Sequence, residues 1–302
     1  MDKLVKPTLS ICIVSYNTRE YLKDCLDSLV RHAPLASFEI IVIDNHSKDG
    51  SHDMVLHDYA NVQLRILPAH EGYTRAMNHA LRSAQGSYLV QLNPDTLVNE
   101  GVWDALIGFM KSHPEVGICT PKVLNSDGTL QKQCRRSSAG PWDTFCYVSG
   151  LSRWFPHDRR FAGYLMTYMD EDVIHPCDAV SGSCMVIKRK VVEKIGYLDE
   201  AYYAYQEDSD YCFRARQAGF QVYYVPLGVI THFGGRGGSL IHARKSIYEW
   251  HRSYWVYYRK HIAPSHLFII NCLVYLGIGL RLAIKMTGSL LKRQKYIGSK
   301  KP

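Results

Sequence analysis

A cluster of carboxylates at Glu207, Asp208 and Asp210 is the strongest catalytic signal in the sequence. When a hydroxyl attacks a carbon centre, one base must remove the hydroxyl proton, and an ionised carboxylate within hydrogen-bond reach can do so. The same cluster is also typical of a helix N-terminus, where acidic side chains cap free N–H groups and complement the helix dipole. Both interpretations remain open at this point, because a helix is predicted over 209–218.

Polar side chains also follow three predicted strands, at the sheet edge where ligands bind open α/β folds. A carboxylate at this edge could accept a hydrogen bond from a nucleobase or a ribose. It could also hold a hard cation such as Mg²⁺ or Mn²⁺ that bridges a diphosphate. Taken singly, each residue is equally typical of a turn or a helix cap. They are Tyr16 and Asn17 after strand 9–15, Asp44 and Asp49 after strand 38–43, and Asn93 and Asp95 after strand 87–92.

Short apolar runs of strand length alternate with segments of helical period through the first half of the chain. Such alternation predicts an α/β fold with a mostly parallel sheet and helices on both faces. The predicted strands are 9–15, 38–43, 62–67, 87–92, 117–120, 180–188 and 222–225, and the predicted helices are 22–29, 74–85, 102–112, 189–195 and 209–218.

Two stretches depart from this pattern. Residues 125–176 show no clear period, so we expect loops and an antiparallel excursion there. Within them, residues 135–160 are unassigned, and the one function we consider for them is a lid over an acceptor. Pro226 is expected to stop the strand 222–225, because proline donates no hydrogen bond to a sheet.

Composition places the chain among packed globular proteins. Of its 302 residues, 46% are hydrophobic and 21% are charged, which excludes a disordered chain, a collagen-like repeat and a small disulfide scaffold. Of the nine cysteines, no two have C-x-x-C spacing. Together with the absence of a recognisable signal peptide, this predicts reduced cytosolic thiols.

The net charge of +8 belongs to the C-terminal tail. Residues 250–302 carry ten Lys or Arg and no Asp or Glu, whereas residues 1–249 carry 26 basic and 28 acidic side chains. The main body therefore gives no sign of nucleic-acid binding. Residues 267–280 are mostly apolar but shorter than the roughly 20 residues that span a bilayer. We expect a helix lying on an anionic membrane surface; the alternative is docking on the protein's own body or on a second subunit.

Five motifs, in order, resemble those of family 2 glycosyltransferases. The similarity covers about 9–240 and, within the family, resembles a bacterial rhamnosyltransferase-like branch. It implies a GT-A glycosyltransferase domain over 1–240, a basic and aromatic helical tail over 241–302, a nucleotide-diphospho-sugar donor and inverting chemistry. The motifs are SICIVSYN ending at Asn17, IVIDNHSKDG ending at Gly50, EGYTRAMN ending at Asn78, LNPD ending at Asp95 and YQEDSD ending at Asp210.

The resemblance also assigns roles by position. Asp208 matches the family's base, and Asp95 matches the second carboxylate of its metal motif, whose first position is here Asn93. That departure puts strict dependence on Mg²⁺ or Mn²⁺ in doubt. His232 matches a position of a further metal ligand, or is a packed side chain. The donor residues implied are Tyr16, Asp44 and Asp49 for the nucleoside and Gly72, Arg75, Asn78 and Asn93 for the diphosphate and sugar.

Further assignments concern the phosphates and the acceptor. Arg236, in a run of glycines, could close over phosphates or lie in a mobile surface loop. The acceptor side is expected at Ser181, Gly182 and Ser183, whose small side chains also suit tight strand packing. Arg259 and Lys260 resemble a basic pair that meets phosphates of the donor or of a lipid-linked acceptor, or form a solvated helix face.

These features predict an inverting glycosyltransferase at the cytoplasmic membrane face. The resemblance to the rhamnosyltransferase-like branch implies dTDP-L-rhamnose as the donor, with a UDP-sugar such as galactofuranose or N-acetylhexosamine next. Together with the membrane-associated tail, it implies a polyprenyl-diphosphate-linked glycan as the acceptor. A sugar-nucleotide-forming nucleotidyltransferase should carry a glycine-rich triphosphate loop after the first strand, where this chain has Tyr16 and Asn17. A catalytically silent nucleotide-sugar-binding scaffold is the other alternative, and it would be expected to lose the acidic cluster.

Overall fold

The structure is a computed structural model that describes residues 6–235 and 243–291. Its strands are β1 Leu9–Ser15, β2 Phe38–Asp44, β3 Val62–Ile66, β4 Tyr88–Leu92, β5 Thr96–Val98, β6 Val116–Leu124, β7 Arg135–Arg136, β8 His175–Pro176, β9 Ala179–Val180, β10 Cys184–Lys188 and β11 Gln221–His232. Its helices are α1 Arg19–Arg31, α2 Ser51–Asp58, α3 Tyr73–Ser83, α4 Val102–Ser112, α5 Pro141–Ser149, α6 Leu151–Trp154, α7 Arg159–Ala162, α8 Arg189–Ile195, α9 Glu207–Gln217, α10 Ala243–Tyr257 and α11 Phe268–Leu291.

A nine-stranded sheet forms the centre, in the order β3-β2-β1-β4-β10-β6-β11-β5, with β8 paired to β11. The half built from β3, β2, β1 and β4 is parallel, as the strand–helix alternation predicts. The other half is mixed, because β10 runs antiparallel to both β4 and β6. In the parallel half Ser15 pairs with Asp44, so the polar segments after β1 and β2 begin at the same edge.

Two predicted strands differ from the observed ones. The predicted strand 180–188 is two strands in different sheets: β9 pairs with β7, and β10 joins the central sheet after a turn at 181–183. Pro226 does not stop the strand that contains it, since β11 continues to His232. The register against β6 shifts between Tyr224 and Val229, where the irregular pairing accommodates the proline.

The C-terminal helices α10 and α11 form an antiparallel pair. Near the connection between them, the Tyr258 hydroxyl donates to Asn271 at 2.7 Å. Further from the connection, the guanidinium of Arg281 on α11 lies over the Trp250 ring of α10, 4.5 Å from the ring centroid. α11 has 24 residues, a length of about 36 Å. The prediction of a short apolar segment is therefore wrong: Phe268–Leu290 is long and apolar enough to cross a membrane. The contact of this helix with a membrane surface stays a prediction.

Asp210, on the first turn of α9, ties these helices to the sheet domain. Its carboxylate lies 2.7 Å from Arg214, from Lys260 and from His261. Burial raises the pKa of Asp210, but the hydrogen bonds from His261 and Lys260 and the charge of Arg214 outweigh it and hold the pKa well below its usual range. The segment that joins α10 to α11 is thus held by a buried, charged anchor.

Gly72→Ala should destabilise the fold by about 3 kcal/mol. Gly72 has φ +87° and ψ 170°, a conformation essentially restricted to glycine. An added Cβ would lie 2.7 Å from the Tyr203 ring and 2.9 Å from the Tyr203 carbonyl oxygen. Gly101→Ala is the control, because Gly101 also has a positive φ but meets nothing within 4 Å. Urea unfolding should show that the Gly101→Ala control loses about 1 kcal/mol of stability. Equal losses of stability in the two variants would contradict the packing argument.

Asp210→Asn should lower the free energy of unfolding by about 3 kcal/mol at pH 7, because it removes the buried charge that Arg214, Lys260 and His261 share. Asp199→Asn, which removes a more exposed partner of Lys260, should cost about 1 kcal/mol or less. Since the folded pKa of Asp210 is depressed, its contribution is complete above the unfolded value of about 4 and is lost as the pH falls further. The Asp210→Asn deficit should therefore shrink below pH 4; a constant deficit down to pH 3 would argue against the charged anchor.

Candidate active site

A cavity of about 550 Å³ opens at the edge of the sheet where β1 and β4 end. It brings together residues that are far apart in the chain, from the N-terminal strands to α10. Among the residues predicted from the sequence, Tyr16, Asn93, Asp95, Ser181, Gly182, Ser183, Glu207, Asp208 and His232 line it.

Asp208 is fixed on one wall of this cavity. Its Oδ2 accepts hydrogen bonds from the guanidinium of Arg136 at 2.7 Å and from the N–H of Gly182 at 3.0 Å. Its Oδ1 accepts a hydrogen bond from the N–H of Ser209 at 2.6 Å. The carboxylate therefore has one orientation, set by three separate segments of the chain.

Arg136 is the main site residue that the sequence interpretation missed. It lies in β7, inside the unassigned stretch 135–160, and also donates to the carbonyl oxygen of Val180 at 2.9 Å. Burial lowers the pKa of Arg136, but the Asp208 carboxylate more than offsets this and the pKa is raised overall. The guanidinium is thus charged. The signal in the sequence that could have indicated this site is the pair of adjacent arginines, Arg135 and Arg136. In the structure both are buried.

Glu207 presents an open carboxyl oxygen beside Asp208. Its Oε2 is buried and has no hydrogen-bond partner among the residues that the structure describes. Burial, with the adjacent Asp208 charge, raises the pKa of Glu207 to about 8. A Cβ at Gly182 would collide with the Gln91 amide and lie 3.6 Å from Glu207 Oε1. The glycine therefore leaves room for both side chains at the cavity wall.

Asp210 does not reach the cavity, although the sequence grouped it with the catalytic candidates. Two residues along a helix correspond to a rotation of about 200°, so Asp210 faces away from Asp208. Its carboxylate is fully buried in the anchor described above. The structure gives it a role in holding α10 and α11 instead.

Asp95 and His232 lie beside each other in the same cavity. Asp95 Oδ1 lies 3.1 Å from His232 Nε2, and the Asn93 amide lies 3.1 Å from the same nitrogen. His232 Nδ1 is 2.7 Å from Oε1 of Gln131. Because that oxygen can only accept, Nδ1 carries the proton, and in the neutral ring the Nε2 lone pair accepts a hydrogen bond from the Asn93 amide. Gln131 was not found from the sequence, since 101 residues separate the two partners.

The residues predicted to bind the nucleoside differ in whether their side-chain oxygens already have hydrogen-bond partners in the fold. Tyr16 lines the cavity, with its ring 4.2 Å from that of His70. Asp44 is buried and its Oδ2 has no partner among the described residues, which leaves an acceptor for a ligand. Asp49 has both oxygens occupied, by the N–H groups of Arg19 and Ser51 at 2.8 and 3.0 Å. Asp49 thus caps α1 and α2, and the structure does not place it in the cavity.

The predicted diphosphate residues on α3 serve the packing of the following segments. Gly72 allows the chain at Tyr203 to approach, as described above. Asn78 is buried and donates to the carbonyl oxygen of Leu198 at 2.9 Å. Arg75 pairs with Glu200 at 3.5 Å. These three residues do not line the cavity, and Arg236 lies outside the described residues.

The basic pair after the sheet domain also lies away from the cavity. Lys260 bonds to Asp199 and Asp210, each at 2.7 Å. The guanidinium of Arg259 stacks over the Trp255 ring at 4.5 Å. Each side chain thus has a partner in the fold, and a contact of this pair with phosphates stays a prediction.

Aromatic side chains form much of the remaining lining, and most were not predicted. Lys245 on α10 donates to the Tyr203 hydroxyl at 2.7 Å, which brings the tail over the cavity. Trp250, on the same helix, was assigned only to the membrane-associated tail. The lining aromatics beyond Tyr16 are Tyr73, Tyr147, Tyr164, Tyr203, Tyr205 and Trp250.

Comparison with known proteins agrees with this geometry. The family model for Glycosyl transferase family 2 matches residues 10–196. The chain is 26% identical over 235 residues to N-acetylglucosaminyl-diphospho-decaprenol L-rhamnosyltransferase of Mycobacterium tuberculosis, covering 74% of this chain and 75% of the relative.

Solved structures share the fold. GalNAc-T7 with UDP, GalNAc and Mn²⁺ superposes with a TM-score of 0.56 and 17% identity, over 76% of this chain and 44% of that one. The mannosyltransferase PcManGT of Pyrobaculum calidifontis with GDP-Man and Mn²⁺ superposes with a TM-score of 0.55 and 14% identity, over 96% and 89%. With the family match over more than half of its length, the chain belongs to glycosyltransferase family 2 and is a glycosyltransferase with the GT-A fold.

Proposed function

We propose that this glycosyltransferase moves a sugar, with inversion, from a nucleotide diphosphate to a hydroxyl of a lipid-linked glycan. The observation that carries the proposal is that the Arg136–Asp208 pair lines the same cavity as Asp95 and His232. In this proposal the fixed carboxylate serves the acceptor, beside Ser181–Ser183, and Asp95 with His232 serves the donor. One base and one leaving diphosphate suffice for a single displacement.

Asp208 is the base in this proposal. The acceptor hydroxyl passes its proton to the carboxylate while its oxygen bonds to the anomeric carbon and the bond to the diphosphate breaks. Arg136 and the N–H of Gly182 hold the carboxylate in place before the acceptor arrives. Attack from the face opposite the leaving group inverts the anomeric centre.

Asp95 and His232 suit a divalent cation. A carboxylate oxygen and an imidazole nitrogen 3.1 Å apart can share one ion, which would replace the Asn93 amide as the partner of that nitrogen. Gln131 fixes the imidazole tautomer. Within 6–235 and 243–291, groups of three or more His, Cys, Asp or Glu suited to a metal are not found. The ion would therefore complete its coordination with substrate oxygens, and when bound it would stabilise the negative charge on the leaving diphosphate.

The preferred donor is dTDP-L-rhamnose, supported by the rhamnosyltransferase relative. A UDP-sugar is the alternative, since UDP occurs in complexes of structural neighbours. The acceptor is polyprenyl-diphosphate-linked, which the decaprenol in the name of the relative supports. The apolar helix α11 and the basic tail are consistent with work at the cytoplasmic membrane face.

Asp208→Asn should lower kcat by about 10²- to 10⁴-fold, because the amide cannot take the proton. Nucleotide binding, measured by calorimetry, should be retained. Asp172→Asn is the control, because Asp172 is an exposed carboxylate far from the cavity. Thermal unfolding of each variant shows whether the loss of the ion pair with Arg136 has unfolded the protein. Unchanged turnover in folded Asp208→Asn would remove Asp208 as the base.

Glu207→Gln should keep most of the activity at pH 7. Because the pKa of Glu207 is raised to about 8, its carboxyl is mostly protonated at pH 7, and glutamine mimics that state. The pH profile of kcat/KM in the wild type should be flat between pH 6 and pH 8. A tenfold rise per pH unit up to about pH 8, with loss of activity in Glu207→Gln, would instead identify Glu207 as the base.

A further inference from the structure

An exposed apolar surface lies on α5 and the residues that follow it, separate from α11. We call it the aromatic surface and define it as Trp142, Phe145, Val148, Trp154 and Phe155. These side chains are between 45% (Phe155) and 80% (Trp154) exposed. The first three recur along one face of α5. Exposed apolar patches of this kind mark sites of interaction.

Ring contacts make this surface continuous. Phe161 on α7 lies between its two halves, with its ring centroid 6.2 Å from that of Trp142 and 4.9 Å from that of Phe155. Trp142 also lies 5.8 Å from Phe145. The patch therefore spans α5, α6 and α7, a segment for which the catalytic proposal gives no role.

The charges around the aromatic surface fit a lipid headgroup layer. Arg153, Arg159 and Arg160 are all exposed beside it. Arg160 pairs with Asp158 at 2.7 Å, whereas Arg153 and Arg159 form no ion pair with any residue that the structure describes. Tryptophan, phenylalanine and arginine together are typical of a membrane interface, where rings lie at the headgroup boundary and guanidinium groups meet phosphates.

The aromatic surface and α11 are both connected to the cavity lining, through α5 and α10. The Thr144 hydroxyl on α5 is 2.7 Å from the Tyr254 hydroxyl on α10, and α10 packs along α11. Tyr147 on α5 and Trp250 on α10 both line the cavity. The cavity is thus lined in part by two elements that each carry, or pack against, an exposed apolar surface.

We propose that the aromatic surface is a second membrane contact, beside that of α11, and that it seats the α5 part of the cavity wall on anionic headgroups. The occupant is the lipid bilayer. The contact would bring the diphosphate of a lipid-linked acceptor level with the cavity. This last consequence rests on the proposed function, whereas the membrane contact does not.

The direct test uses Trp142→Phe/Trp154→Phe and vesicles of phosphatidylcholine and phosphatidylglycerol whose chains are brominated. Bromine quenches the emission of tryptophan within the bilayer. In vesicles that contain phosphatidylglycerol, the double variant should show less fractional quenching than the wild type. The difference between the two proteins should be smaller in vesicles of phosphatidylcholine alone. Equal fractional quenching in the two proteins would overturn the proposal, as would a change of oligomeric state with no change in quenching.

Activity gives a second readout with a charged variant. Phe145→Glu/Trp154→Glu should raise the KM for a vesicle-embedded polyprenyl acceptor by at least about tenfold, and leave the KM for a short-chain soluble acceptor unchanged. The control Leu35→Glu/Leu56→Glu alters two exposed residues outside the patch and should change neither. An unchanged vesicle KM would overturn the proposal. Failure of the proposed function would show as no transfer to either acceptor, and the quenching experiment would still decide the membrane contact.

Discussion

The buried ion pair between Arg136 and Asp208 is the constraint on which the site depends. Removing two charges from water is costly, and their attraction repays that cost only where further hydrogen bonds satisfy both groups. Here the carbonyl oxygen of Val180 and the N–H groups of Gly182 and Ser209 supply them. The pair therefore requires β7, the turn after β9 and the start of α9 to meet at one point. Where they meet, a charged carboxylate faces the cavity in a single orientation.

The first turn of α9 has two functions because its side chains point in opposite directions. Asp208 faces the cavity, and Asp210 faces the segment between α10 and α11. This coupling places Trp250 in the cavity lining, since the segment after α10 is held by the same turn that carries the proposed base. The geometry of one helix turn thus links the chemistry to the position of the tail.

Local sequence patterns predicted the parallel half of the sheet well, because each strand and helix there is defined by its own apolar period. The split between β9 and β10 could not be predicted, because both halves are apolar and their partners lie in different sheets. Arg136 and Gln131 were missed for a related reason: their partners lie 72 and 101 residues away. Motif resemblance named Asp49, Asn78 and Lys260, but only tertiary contacts show that their polar atoms are already occupied. The full length of α11 was missed because Arg281 and Lys285 interrupt its apolar run.

The stereochemistry of transfer tests the central claim most directly. A single fixed base opposite one leaving diphosphate requires that the new glycosidic bond has the anomeric configuration opposite to that of the donor. Nuclear magnetic resonance of the purified product, made by the wild-type protein from a nucleotide sugar of known configuration, measures this from the anomeric proton and carbon signals. An inverted centre is the predicted result. A retained configuration would contradict single displacement with Asp208 as the base.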